Sequence, residues 1–205
     1  VGAFKITNKV AKKLEVPYAL FIKKIRKAEV VYVDETELKV DGVTYHLWTF
    51  VADNEIVFVI RKSRSNSVIK EILGEKFQGV ICCDGWTDYS TYSDNLQRCW
   101  AHLLREAEDL AGKYSSFAGF YEAIKGVFKK IKKLRDKPYS LKTREKWKGI
   151  LELEMGQVVG QMNGYKEFRK FAEKIKNGLR YWFTCLTHLF VEPTNNNAER
   201  ALREL

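Results

Sequence analysis

The 205-residue sequence predicts an α/β fold: a mixed five-stranded sheet with an all-helical, basic segment placed before a last short helix. Three observations lead there. The stretch Glu29-Val30-Val31-Tyr32-Val33-Asp34-Glu35-Thr36 runs β-branched and aromatic residues straight into an acidic cluster, as a strand covered on both faces does. Gly79-Val80-Ile81-Cys82-Cys83-Asp84-Gly85 repeats the pattern and again ends on a single aspartate. From about residue 101 to 190 the apolar positions recur at helical spacing instead.

Residues 1–28 form an amino-terminal helical segment. Val10, Leu14, Leu20, Phe21 and Ile25 supply its apolar positions, and Pro17 marks a break. Its Lys12, Lys13, Lys23, Lys24, Arg26 and Lys27 read better as a solvated face than as phosphate contacts.

Residues 29–100 form the sheet. After the first strand (29–35), Asp41-Gly42 is a hairpin signal opening a second strand near 43–51. Asp53-Asn54 turns into a third, Ile56 to Ile60. Ser65 or Asn66 caps a short helix, 67–73, which Gly74 ends. The fourth strand, 79–84, crosses over to lie parallel to the first, and a short fifth fits Leu96-Gln97-Arg98-Cys99. Three antiparallel strands, a helix and a parallel strand are the element order of ribonuclease-H-like folds. In those folds the metal-binding carboxylates stand on the first and fourth strands.

Residues 101–190 form the helical segment. Leu103, Leu104, Ala107 and Leu110 mark one helix, Phe117 to Ile131 the next, and a long one spans about 141–162. Lys113, Lys125, Lys129, Lys130, Lys132, Lys133, Arg135, Lys137, Lys142, Arg144, Lys146 and Lys148 crowd this block. It therefore holds most of the excess charge behind a net +10 and a pI near 9.3, and a polyanion is the natural partner. Residues 191–205 open a final helix, where Asn196 with Glu199 reads as a capping-box-like pair.

Cys82, Cys83, Cys99 and Cys185 make no disulfide framework, which suits a reducing cytosol. No apolar run has membrane-spanning length. The chain starts at Val1 and stops inside a helix, so it reads as a segment of a longer protein.

Asp34-Glu35-Thr36, Asp84-Gly85-Trp86 with Tyr89, Cys99-Trp100-Ala101-His102-Leu103-Leu104-Arg105 and Asn195-Asn196-Asn197-Ala198-Glu199-Arg200-Ala201-Leu202-Arg203 together resemble the DDE transposases of insertion sequences. The catalytic domain of the insertion sequence 66 family is the nearest likeness, from about residue 29 to the end. The resemblance implies Asp34, Asp84 and Glu199 as catalytic, metal-binding residues, and 101–190 as a helical insertion. Residues 191–205 then begin the catalytic helix. It also implies insertion-sequence ends and target DNA as partners, and a homodimer or higher multimer on paired ends, in the cytoplasm at the nucleoid. The amino-terminal DNA-binding regions of full family members are missing from this chain.

The chemistry agrees with these residue types. Phosphodiester cleavage and strand transfer need an activated water or 3′-hydroxyl and a stabilised leaving oxygen, which two Mg²⁺ or Mn²⁺ ions roughly 3.5–4 Å apart supply. Hard ions take a few carboxylate oxygens and keep positions open for water and phosphate. Cys99, His102, Arg105, Arg200 and Arg203 are the supporting candidates, the arginines as phosphate clamps or as counter-charges to the carboxylates. Trp86, Tyr89, Lys129, Lys130, Lys132 and Lys133 are the DNA-binding candidates. Glu35 points to the opposite face of its strand and is not chosen as a ligand. Cys99/His102 with Cys185/His188 could on paper hold zinc, though packing suits them better. Another ribonuclease-H-like nuclease, such as a ribonuclease H or a junction resolvase, and a non-catalytic DNA-binding derivative are the competing readings.

Overall fold

A computed structural model describes residues 2–204. The strands are β1 (Val30–Val40), β2 (Val43–Ala52), β3 (Glu55–Arg61), β4 (Val80–Cys83) and β5 (Leu96–Arg98). The helices are α1 (Gly2–Ile25), α2 (Asn66–Leu73), α3 (Thr87–Tyr92), α4 (Trp100–Lys113), α5 (Ala118–Arg135), α6 (Leu141–Met162), α7 (Arg169–Asn177), α8 (Thr184–Thr187) and α9 (Asn196–Arg203).

The five strands form one mixed sheet in the order β3-β2-β1-β4-β5. β1 pairs antiparallel with β2 and parallel with β4, and β5 continues parallel beyond β4. β1 is therefore central, as its unbroken apolar run requires. Asp41 and Gly42 at the first hairpin both take positive φ, 50° and 78°, which is why Asp-Gly stands there.

Side chains alternate across the sheet into two cores. Val31, Val33, Ile81 and Cys83 pack with Trp48, Phe50, α2 and Tyr89 on one face. Val30, Tyr32, Val80 and Cys82 pack under α4 to α9 on the other. The helical segment thus shares a continuous core with the sheet. Trp100 is fully buried at the join, stacked on Phe128 and donating its indole N–H to the carbonyl of Trp182 at 2.6 Å.

Two expectations need correction, and a third point is a helix the sequence pattern did not signal. Pro17 does not break α1, which runs unbroken from Gly2 to Ile25. Much of this helix stands clear of the sheet, so the carbonyl deprived of its amide partner can turn to water. For the same reason Val10, Leu14, Leu20 and Phe21 are exposed, and Ile25 is the one buried residue of the helix. Anchoring comes late, where the Tyr18 hydroxyl donates to the carbonyl of Phe58 at 2.9 Å and Lys24 pairs with Glu55.

The second correction concerns α9, which begins after Asn195 and not with Asn196 as its cap. No side chain caps it: the Asn195 amide group donates to Val33, its Oδ1 is buried without a partner, and Glu199 faces α4. Third, α3 was not anticipated: Thr-Asp-Tyr-Ser-Thr-Tyr is a poor helix former held by tertiary contacts.

Candidate active site

β1 and β4 run parallel, so both deliver their terminal residues to the same edge of the sheet. Asp34 follows Val33 where the pairing with β4 has ended after Tyr32–Cys82. Asp84 follows Cys83, the last residue of β4. Each carboxylate is fixed locally: Asp34 Oδ1 accepts from the Glu35 amide at 3.1 Å, and Asp84 Oδ1 from the Trp86 amide at 2.8 Å.

The third acidic residue arrives through the segment before α9, which is stitched to both strands. The Glu192 amide donates to the Tyr32 hydroxyl at 3.0 Å, and the Cys82 thiol to the carbonyl of Thr194 at 3.6 Å. The Trp100 amide donates to the carbonyl of Pro193 at 3.0 Å. Asn195, fully buried, donates its side-chain amide to the carbonyl of Val33 at 2.8 Å and its backbone amide to Cys99 Sγ at 3.1 Å. One helical turn later comes Glu199. Asp34, Asp84 and Glu199 therefore gather at one edge of the sheet.

The electrostatics report that gathering. Burial, then the negative charges of Glu35, Asp84 and Glu199, push the Asp34 carboxyl up to about 7, against the opposing backbone hydrogen bond from Glu35. Like charges this close to a partly buried acid disfavour its ionised form until a cation arrives.

Glu199 is cradled by α4 and by its own helix. His102 Nδ1 lies 3.5 Å from its Oε1, Arg105 Nη2 lies 3.5 Å from Oε2, and Arg203 Nη2 lies 3.3 Å from Oε2. Arg105, Asn196, Glu199, Arg200 and Arg203 line one cleft. Cys99, His102 and Glu199 bring one ligand atom each within 4.8 Å of one another. Cys185 and His188 do not join them: the His188 ring packs at 5.7 Å from Phe190, and its Nδ1 meets the Thr187 hydroxyl. The four-ligand zinc arrangement is thus not formed.

Glu35 does face the other side. Its nearly buried carboxylate takes two hydrogen bonds from Arg64, at 2.9 and 2.7 Å, and one from the Tyr89 hydroxyl at 2.8 Å. Tyr89 is fully buried by this role, so it offers no face to DNA and that expectation is corrected. Trp86 remains half-buried, with its ring under the Arg64 guanidinium at 5.0 Å and against Trp48 at 5.9 Å.

Lys129, Lys130, Lys132 and Lys133 are exposed on α5. Lys130 pairs with Glu154 at 2.6 Å, and Lys132 sits over the Phe128 ring at 5.1 Å. No hydrogen bond or ion pair among the described residues ties the four to the carboxylates.

Part of the basic block is structural. Buried Arg144 donates to the carbonyls of Tyr139 and Leu134, at 3.1 and 3.3 Å, and also to that of Lys137. Arg135 donates to the carbonyls of Cys185, at 2.7 Å, and Leu189, at 3.2 Å.

Sequence reasoning missed two residues. One is Asn195, whose only signal was its place at the head of an Asn-rich helix start. The other is Arg98, 3 % exposed at the end of β5, whose Nη1 donates to the carbonyl of Lys174 at 2.9 Å. Its guanidinium occupies the space a side chain at Gly178 would need, since a Cβ there would lie 2.1 Å from Nη1.

No helix among the described residues is long and apolar enough to cross a membrane. No curated protein and no solved structure matches the chain. The family described as Transposase IS66 family does match, over residues 4–205. With nearly its whole length inside that match, the chain belongs to the IS66 family of transposases.

Proposed function

We propose that this chain is the catalytic domain of a DDE transposase, cleaving phosphodiesters and joining DNA strands to move an insertion sequence. The observation that carries the reading is the hydrogen bond from Asn195 to Val33, which pins the helix bearing Glu199 beside Asp34. The strand order β3-β2-β1-β4-β5, with carboxylates following β1 and β4, supports a ribonuclease-H-like core built from 29–100 and 191–203. In this reading 101–190 is the inserted helical part, and two such chains act together on paired ends.

Asp34, Asp84 and Glu199 suit hard divalent cations by donor type, and the Asp34 carboxyl feels the charges of the other two. Bound Mg²⁺ or Mn²⁺ supplies charge stabilisation at the reacting phosphate and lowers the pKa of a coordinated water. The chain's own part is placement. β1 and β4 hold two carboxylates on rigid backbone, α9 brings the third, and Arg105, Arg200 and Arg203 present guanidinium groups suited to phosphate oxygens. Lys129 and Lys133 hold the DNA backbone farther along.

The test is cleavage and strand transfer of labelled insertion-sequence ends with Mg²⁺ or Mn²⁺, using the longest soluble form of the transposase. Asp34→Ala, Asp84→Ala and Glu199→Ala each reduce both reactions to background while the far-UV circular dichroism stays unchanged. Full activity in any of the three overturns the assignment. Cleavage without joining of a pre-cleaved end points instead to a nuclease.

A further inference from the structure

The carboxylates of the catalytic edge are hard ligands, but the residues on the α4 side of Glu199 are not. Cys99 stands at the N-terminus of α4 and His102 three residues on, so both project toward α9. Cys99 Sγ, a His102 ring nitrogen and a Glu199 oxygen lie within 4.8 Å of one another.

Two atoms of this group are buried and lack a hydrogen-bond partner: His102 Nδ1 and Glu199 Oε1. They are 3.5 Å apart, yet form no hydrogen bond. That spacing is close to the ligand–ligand edge of a tetrahedral zinc site, about 3.4 Å for metal bonds of about 2.1 Å. Buried polar atoms without partners carry a desolvation cost, and a metal ion would satisfy both at once.

We propose that Cys99, His102 and Glu199 form a site for a thiophilic divalent cation of the Zn²⁺ class, separate from the hard-ion site and sharing only Glu199 with it. One sulfur, one nitrogen and one oxygen with an open fourth position are a zinc-type donor set, which Mg²⁺ does not favour. Binding releases the Cys99 thiol proton to solvent and places the metal on the thiolate. Burial holds that proton on, but the backbone amide of Asn195 donates to the sulfur and opposes the effect.

A consequence follows that rests on the transposase reading. A soft ion here draws Glu199 toward α4 and away from Asp34 and Asp84, so zinc inhibits DNA cleavage in competition with the catalytic ions. The chain would then be switched by metal identity, with one carboxylate serving either site.

The experiment is Co²⁺ titration of the full, reduced, tag-free chain, followed by competition with Zn²⁺ and then with excess Mg²⁺. The expected result is a tetrahedral cobalt spectrum with a near-ultraviolet thiolate band, erased by stoichiometric Zn²⁺ and weakened by Mg²⁺ only at large excess, where Mg²⁺ competes for Glu199 alone. Cys99→Ser removes the band, while Asp34→Asn and Asp84→Asn retain it. His102→Gln, at a half-buried position, weakens zinc binding by more than about 100-fold, since loss of an outer partner alone costs 10–100-fold. An octahedral spectrum without a thiolate band overturns the site, as does zinc binding by His102→Gln equal to that of the parent chain. If Cys99→Ser fails to fold, His102→Gln decides. The second arm measures cleavage in Mg²⁺ with rising Zn²⁺, each variant scaled to its own zinc-free rate. Inhibition that His102→Gln shifts to higher zinc supports the switch, and none at saturating zinc overturns the switch alone. A chain that binds zinc but never cleaves DNA counts against the proposed function, not against this site.

Discussion

Asn195 reaches across 162 positions of sequence to place its side-chain amide on the carbonyl of Val33, the residue before Asp34. With its backbone amide on Cys99, this one residue joins β1, α4 and α9. The edge of the sheet and the helix that completes it are thus registered by a buried side chain that is not itself acidic.

Asn195→Ala should destabilise the chain by about 1–3 kcal/mol, because the Val33 carbonyl is left buried without this donor. Mn²⁺ affinity should fall as well, since α9 loses its tie to β1. Urea denaturation and Mn²⁺ titration monitored by electron paramagnetic resonance measure the two effects. Unchanged Mn²⁺ affinity alongside lost stability would reduce Asn195 to a purely structural residue.

The Asp34 carboxyl, raised to about 7 from an ordinary value of 3.8, sets a pH dependence. Between those values the folded chain holds a proton that the unfolded chain releases, so stability falls as pH rises through this window. In chelator, Tm should decline from about pH 4 to about pH 7 and then level off. Asp34→Asn should flatten that slope. Saturating Mg²⁺ should restore Tm most strongly above pH 7, where the ion no longer competes with the proton. A Tm independent of pH in chelator would contradict the acidic gathering.

Arg64→Ala leaves the Glu35 carboxylate nearly buried with Tyr89 as its remaining side-chain donor. A loss of about 1–3 kcal/mol is expected by chemical denaturation. Tyr89→Phe removes one hydrogen bond and costs about 1 kcal/mol. Neither touches the carboxylates on the other face, so Mn²⁺ affinity should persist in both. Its collapse in Tyr89→Phe would place Glu35 among the ion's ligands.

Salt dependence separates the lysines proposed to hold the DNA backbone from the structural arginines. Lys129→Ala and Lys133→Ala should each lower the slope of log K against log salt for DNA binding by about 1. Arg144→Ala should leave that slope alone and lower Tm, because its guanidinium serves backbone carbonyls around the end of α5. Fluorescence anisotropy at several ionic strengths decides this. Equal slopes for parent chain and lysine variants would remove α5 from the DNA surface.

What was legible in the sequence was whatever local pattern dictates. The apolar runs before Asp34 and Asp84 located β1 and β4, and Asp41-Gly42 located the hairpin, because these depend on neighbours a few residues away. The boundaries of α6 followed in the same way. What escaped depends on partners distant in sequence. That Tyr89 turns inward to Glu35, or that Arg98 lies against Gly178, is settled by packing between elements. The basic count also overstated the polyanion surface, since composition does not distinguish a lysine in water from an arginine spent on carbonyls.

The unequal pairing of β1 has a last implication. β2 accompanies it through Val40, whereas β4 leaves after Tyr32. Asp34 therefore stands at a fork, braced by a strand on one flank and free of one on the other. A carboxylate so mounted takes its aim from one neighbouring strand alone.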